Sequence, residues 1–354
     1  MKKDNNHLVI MAGGVGSRFW PLSTVDYPKQ FIDVLGVGRT MIQLTAERFE
    51  SVCPRENMWV VTSKLYRDTV IEQLPWISPD HVLLEPCRRN TAPCIAYASY
   101  KIHKLNPGAN IIVSPSDHMV RDLEEFQRVA ENALEFTSLS NSILTLGMHP
   151  TRPETGYGYI AAEFWGPLCC GSEIFRVDSF KEKPDYETAQ KYVSCDNYFW
   201  NSGIFVWNAE TIIEAFRKHC PNISAVFDKL EPWLLTDNEQ EKVDELFPEC
   251  ENISVDYAIM EKAEEIFVYP AAFGWSDLGT FGSLYAYNDK DEAGNVVIGG
   301  NVHLHECEGC IVHATSGRRV VVQGLKDSIV CEKDGEILVC RLEEEQRIKE
   351  FSQD

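Results

Sequence analysis

The chain has 354 residues, 44% hydrophobic and 25% charged, which is enough to bury a large core in more than one domain. Its 33 Lys+Arg against 54 Asp+Glu give a net charge of −21, which argues against nonspecific binding to nucleic acid or a membrane surface, since both want a basic face. No apolar run approaches a membrane span, and an anionic ligand meets a repulsive overall field, so a site for one must rest on a local cationic cluster and divalent metal.

The start, Met1-Lys2-Lys3, is basic, but the apolar run 8–11 behind it is too short for a signal peptide. Without a secretory segment, the twelve cysteines point to reduced thiols in the cytoplasm, and the adjacent pair Cys169-Cys170 has poor geometry for a structural disulfide. Run 8–11 reads as a buried strand entering Ala12-Gly13-Gly14-Val15-Gly16-Ser17-Arg18. Glycine lets amide N–H groups approach a ligand closely, and successive free amides make a concave anion site. Arg18 inside the loop and Lys29 beyond it add two cations. The dinucleotide fingerprint fails because Phe19 stands where its third glycine belongs, and the P-loop pattern fails because no Gly-Lys-Ser/Thr follows. A plain glycine turn is the competing reading. Trp20-Pro21-Leu22-Ser23 and Pro28-Lys29-Gln30-Phe31 speak against it.

This segment resembles the signature of sugar-1-phosphate nucleotidyltransferases, and most closely that of the mannose-1-phosphate guanylyltransferases. Phe19 replaces the leucine of many relatives. Later motifs extend the likeness to about residue 290, so the expected domains are a catalytic domain at 1–290 and an appendage at 291–354.

Up to about residue 150, strand-like runs at 8–11, 58–62, 81–84, 110–114 and 142–147 alternate with amphipathic stretches at 41–52, 66–74, 91–105 and 123–136. This alternation predicts an α/β fold, a Rossmann-like doubly wound, mostly parallel sheet. Ligands of such sheets bind beyond the carboxyl ends of the strands, where the glycine loop lies. After the third run comes Glu85-Pro86-Cys87-Arg88-Arg89-Asn90-Thr91-Ala92-Pro93, similar to the guanylyltransferase segment. Asn90 or Thr91 can cap a helix there. The resemblance also sets Asn90, Thr91 and Ala92 beside the nucleotide, with Ala12, Gly13, Gly14, Gly16 and Ser17 on its phosphates; the two readings are compatible. The fourth run ends in Pro115-Ser116-Asp117-His118. As bare sequence Asp117 is a turn residue; by the resemblance it ligates Mg²⁺, a hard cation that needs one or two protein carboxylates. His118 is expected to hold the loop.

Past Pro150 the pattern becomes mixed. Residues 155–160 open a strand that includes Gly158, and 175–182 form another ending in Glu182-Lys183-Pro184. The resemblance assigns Glu182 to sugar hydroxyls and Lys183 to the 1-phosphate, with Gly158 in the same subsite. Asn201 can donate to and accept from a sugar, and Gly203 admits a close ligand. Residues 209–265 read as mainly helical, with 254–262 a capped helix giving structural support. Asp277 lies in a glycine-bounded turn, and the resemblance makes it the second metal carboxylate.

From about Asn295, short Val-, Ile- and His-rich runs broken by glycine predict a small C-terminal β-solenoid, left-handed β-helix-like, which relatives use for packing and dimer contacts. His303, His305, Cys307, Cys310 and His313 are ligand types for zinc, but the second ligand pair is missing, so the expectation is thiols in a solenoid interior. The implied reaction is mannose 1-phosphate plus GTP giving GDP-mannose and diphosphate. Arg18, Lys29 and Lys183 carry the catalytic positive charge, and Asp117 and Asp277 hold Mg²⁺. A cytoplasmic homodimer is expected. The alternatives are a catalytically silent nucleotide-sugar-binding regulatory subunit, or a transferase for another base or sugar. Long family members append an isomerase domain; a chain of this length is expected to lack isomerase activity.

Overall fold

The computed structural model describes residues 3–14, 16–163 and 174–352; Val15, Cys169 and Cys170 lie outside them. Contacts divide the chain into two units, neither contiguous in sequence. The first comprises Met1–Gly13, Ala46–Pro115 and Val120–Trp275, and the second Gly14–Thr45, Ser116–Met119 and Ser276–Asp354.

Among the described residues, the first unit is built on nine strands: β1 (Asn6–Met11), β2 (Met58–Ser63), β3 (Val82–Glu85), β4 (Asn110–Pro115), β5 (Ile143–Met148), β6 (Tyr159–Ala162), β7 (Phe175–Lys181), β8 (Tyr198–Asn208) and β9 (Ile266–Ala271). Their order is β3-β2-β1-β4-β8-β5-β9-β7-β6, and β6 also pairs with β8, so β8, β5, β9, β7 and β6 form a closed ring of pairings. The strands β3, β2, β1 and β4 are parallel, as the alternation of strands and helices predicts. The other half is not: β8 runs antiparallel to β4, β5 and β6, and β7 antiparallel to β6 and β9, leaving β5–β9 as the parallel pair there. The sheet is therefore mixed rather than mostly parallel. An antiparallel neighbour needs no crossover to bring the chain back to the same end of the sheet, so β8, lying between β4 and β5, runs against both. β1 is buried almost throughout, as a central strand covered on both faces must be. In register, Met11 pairs with Pro115, so β1 and β4 end level.

The helix α1 (Thr91–Leu105) starts where Asn90, at φ 66°, accepts from the Thr91 amide, carries Pro93 in its first turn and holds no glycine. It buries Ile95, Ala98 and Ile102, at helical spacing, in the first unit's core. The helix α2 (Leu123–Ser138) is capped by Asp122, whose side chain accepts from Glu125 N, and buries Phe126, Val129, Ala130, Ala133 and Leu134. In the 254–262 segment expected as a capped helix, Asp256–Met260 instead form a π-helical turn.

In the second unit the strands are β10 (Val296–Ile298), β11 (Val302–His305), β12 (Ile311–Ala314), β13 (Val320–Gln323), β14 (Ser328–Lys333) and β15 (Glu336–Arg341). β10, β12 and β14 pair in parallel, as do β11 and β13, while β15 folds back antiparallel on β14. His303 and His305 point outward, whereas Cys307 and Cys310 lie in an apolar cluster with Val312, Val322 and Val330. Their thiols donate to the backbone oxygens of His305 and Glu308. His313 is fully buried on Val34 O at 3.0 Å, and burial lowers its pKa to about 4. Among the described residues no cluster of three or more His, Cys, Asp or Glu is arranged to hold a metal.

The second unit's core gathers Phe19, Leu22, Val34, Leu278, Phe281, Leu284, Ile298, Ile311 and Ile329. The helix that supplies Phe281, Phe281–Tyr287, starts at a reciprocal cap made by Thr280 and Ser283. Rings of Phe19 and Phe281 meet at 5.1 Å. Phe281→Ala should therefore cost about 3–5 kcal/mol, measured as a lower urea midpoint.

Candidate active site

Chemistry-bearing side chains form one cluster in each unit. In the second unit the centre is Lys29, which is 2% exposed. Its ammonium lies 3.0 Å from Asp117 Oδ2 and donates to the Asp277 backbone oxygen at 2.7 Å. Its Nζ is also 5.6 Å from the centroid of the Phe19 ring. Burial alone would raise the Asp117 pKa, but Lys29 and the neighbouring His118 outweigh it and hold the carboxyl below its ordinary value. Asp277 keeps its turn by accepting from the Gly279 amide at 3.0 Å. The segments that carry these acids are tied by a two-way bridge, Met119 N to Ser276 O at 2.8 Å and Ser276 N to Met119 O at 3.1 Å. Lys29, Asp117 and Asp277, far apart in sequence, are thus brought together.

The glycine loop is fixed from the same side. Gln30 Nε2 donates to Gly14 O at 2.9 Å, and Ser23 Oγ donates to Gly16 O. Gly16 has φ +65°, and a Cβ there would stand 2.7 Å from Lys29 Cβ, so only glycine lets the loop close over the lysine. Ser17–Phe19 form a single 3₁₀ turn that sets Arg18 half-buried at its middle. The Ala12 amide is spent on Val61 O at 2.8 Å. Among the described residues, the amides of Gly13, Gly14 and Gly16 donate to no protein acceptor, which is the state an anion cradle requires.

The first unit's cluster joins Gly158, Glu182, Lys183, Asn201 and Gly203, all expected, to Asp256, which was read only as helix support. Lys183, at φ 47°, bonds to Glu182 while its chain is exposed; burial works against its charge, but the Glu182 carboxylate outweighs that and raises its pKa. Asn201 Nδ2 donates to Asp256 Oδ1 at 2.9 Å, while Asn201 Oδ1 accepts from Gly203 N at 3.1 Å and Thr145 Oγ1 at 3.3 Å. The carboxamide orientation is therefore set. Gly203 has φ 70°, and Gly158 must be glycine because a Cβ would fall 2.4 Å from Glu182 Oε2. Tyr157 stands edge-on to Trp200 and Trp275, both at 5.3 Å, as an aromatic wall. The sequence signal for Asp256 was weak, because an acid at a helix start has an ordinary reason to be there.

The nucleotide segment behaves differently from its neighbours. The Thr91 amide donates to Asn90 Oδ1 at 3.0 Å, the Ala92 amide to Ile253 O at 3.1 Å, and Thr91 Oγ1 accepts from Val255 N at 2.9 Å. The capping reading accounts for these groups. Chemically, the second unit's cluster offers a fixed cation, free amides and two hard-oxygen carboxylates, a set suited to a polyphosphate with a divalent cation. The first unit's cluster offers a cation with polar acceptors and donors, suited to a phosphorylated sugar.

Desolvation, and then the Glu182 carboxylate, push Asp256 from its ordinary 3.8 up to about 6. Across that window the folded protein keeps a proton that the unfolded chain has lost, so stability falls as pH rises through it. Asp256→Asn should therefore raise the thermal midpoint at about pH 7.5, with the gain gone near pH 4, read by calorimetry.

The nucleotidyl transferase family model matches residues 7–294. Mannose-1-phosphate guanylyltransferase of Salmonella montevideo is 39% identical over 97% of this chain and 72% of its own length. Alginate biosynthesis protein AlgA of Pseudomonas aeruginosa is 35% identical over 98% of this chain and 71% of its own. A solved structure from Thermus thermophilus, described as a mannose-1-phosphate geranyltransferase, superposes with TM-score 0.87 at 31% identity, covering 99% of this chain and 98% of its own.

Proposed function

The chain belongs to the nucleotidyl transferase family, among the mannose-1-phosphate guanylyltransferases, and we propose from that premise how its residues join α-D-mannose 1-phosphate and GTP into GDP-mannose and diphosphate. A phosphate oxygen of the sugar phosphate forms a bond to the α-phosphorus of GTP, and the bond from that phosphorus to the β-phosphate oxygen breaks. The electron pair leaves with diphosphate. The nucleophile is already an anion, so no activated serine, cysteine or histidine is required. Catalysis reduces to positioning and charge.

In this reading the amides of Gly13, Gly14 and Gly16, with Arg18 and Lys29, take the triphosphate and the departing charge; Val15 and the Ser17 side chain are outside the described structure. Lys183 neutralises the 1-phosphate and aims its oxygen. Glu182 and Asn201 take sugar hydroxyls, with Gly158 and Gly203 leaving them room. Asp117 and Asp277 would hold Mg²⁺, which supplies charge neutralisation to the phosphates when bound. The observation that carries the reading is Lys29, buried yet ion-paired to Asp117, with a glycine loop closed on its stem. Such an arrangement costs desolvation and is retained where fixed charge has a task.

The end of the family match at residue 294 supports reading 1–290 as the catalytic domain. Parallel pairs such as Val296 with Ile311, Ile311 with Ile329 and Val302 with Val320 support a β-solenoid-like coil for 291–354. A homodimer and a cytoplasmic setting complete the proposal; the free described cysteines fit a reducing compartment. No helix is long and apolar enough to cross a membrane among the described residues.

Arg18→Ala should lower kcat by roughly 10²–10³ with the fold intact, because it removes a donor used as charge develops. Diphosphate release from GTP and mannose 1-phosphate, with circular dichroism as the fold control, reads both. A wild-type rate in the variant contradicts the assignment.

A further inference from the structure

We propose that Phe19 is a positioning residue for Lys29: the face of its ring carries part of the ammonium's charge, so that Asp117 can cede its own charge to a divalent cation. This rests on the reading of Asp117 as a metal carboxylate. Among the described residues, three groups surround the ammonium: Asp117 Oδ2 at 3.0 Å, the Asp277 backbone oxygen at 2.7 Å and the Phe19 ring, its centroid 5.6 Å away. The first two belong to the residues read as holding the metal. A cation on Asp117 draws the carboxylate's charge away from Lys29. An ammonium only 2% exposed is then left with little screening, which is the costly state of a broken buried pair. The Asp277 oxygen is a neutral carbonyl. The ring is the neighbour for which neither metal nor phosphate competes.

The ring is held in place from two directions. Phe19 is 1% exposed and closes the 3₁₀ turn Ser17–Phe19. Its amide donates to Gly16 O at 3.0 Å, and its own carbonyl accepts from the Ser23 amide at 3.1 Å. The backbone is thus pinned by the same loop whose Gly16 lies against the Lys29 stem. On the side-chain end, Phe281 meets the ring at 5.1 Å with the planes tilted by 46°. Phe281 opens its helix directly behind the Asp277 turn, and Leu22 and Leu278 complete the packing in the same cluster.

The chemistry separates Phe19 from an ordinary core residue. An aromatic face carries negative charge through its quadrupole and attracts a cation within about 6 Å, more strongly where water is excluded. A leucine of similar bulk packs as well but offers no such face. The ring's charge distribution needs no proton and no ion, so it persists in every state of the site.

The test replaces Phe19 with phenylalanines carrying one, two and three fluorines, which keep the ring's shape and drain its face stepwise. Mn²⁺ affinity is read by electron paramagnetic resonance with GTP present, and the thermal midpoint of the metal-free protein is read by calorimetry. Mn²⁺ affinity should fall in order, by roughly 3- to 30-fold at three fluorines, and Phe19→Leu should match that last loss. The metal-free midpoint should fall in the same order, although each fluorine makes the ring more apolar. The same series at Phe281 should leave Mn²⁺ affinity unchanged. A flat Mn²⁺ series at position 19 in folded protein overturns the proposal. So do equal losses at Phe281, which assign the effect to ring packing. Wild type that binds no Mn²⁺ with GTP strikes the metal reading instead; the thermal series then decides the ring's part, a flat one overturning it.

Discussion

The second unit depends on one buried ion pair. Lys29 and Asp117 are brought to 3.0 Å, with the lysine also donating to the Asp277 backbone. An ammonium this deeply buried is tolerable only with its partners in place, since removing one leaves a desolvated charge. The pair therefore orders three segments at once: the glycine loop that closes on the lysine stem, the turn after β4, and the turn at Asp277 bounded by Gly279. Local sequence serves the same end. Gly16 supplies a left-handed backbone and a bare Cα against Lys29, and Gln30 and Ser23 pin the loop carbonyls. A net charge of −21 makes such a local reserve of positive charge necessary for any polyphosphate ligand.

The first unit solves a parallel problem with acids. Glu182, Asp256 and Lys183 share one neighbourhood, so Asp256 is held partly protonated near neutrality while Lys183 stays charged. Asn201 is fixed by Asp256 on one side and by Gly203 and Thr145 on the other. A sugar hydroxyl would then meet a carboxamide whose orientation is decided in advance, which lowers the cost of binding.

Much of this was legible in the sequence because local chemistry and tertiary use agree. Helix Thr91–Leu105 has a cap, a first-turn proline and an apolar stripe, and its predicted limits coincide with the observed ones. The glycine loop and the Asp117 turn follow runs whose burial is obvious. Strand direction in the later half of the sheet was not legible. β6, β7 and β8 have the same composition whether parallel or antiparallel to their neighbours, and the sheet's mixed half is set by pairings between strands distant in sequence. Asp256 was missed because an acid at a helix start has a common solvent-side explanation, and only burial among other side chains removes it. The tail cysteines show the converse: ligand types at suggestive spacing, placed by alternation in an apolar interior while His303 and His305 face out.

The central claim is that the Lys29–Asp117 pair is a binding device for a metal-bound polyphosphate and not merely a structural tie. Electron paramagnetic resonance of Mn²⁺, titrated with GTP into wild type and Asp117→Asn, tests it without turnover. The account predicts that the variant, still folded, loses Mn²⁺ affinity by at least roughly 10- to 100-fold. An unchanged Mn²⁺ titration in folded Asp117→Asn would contradict it.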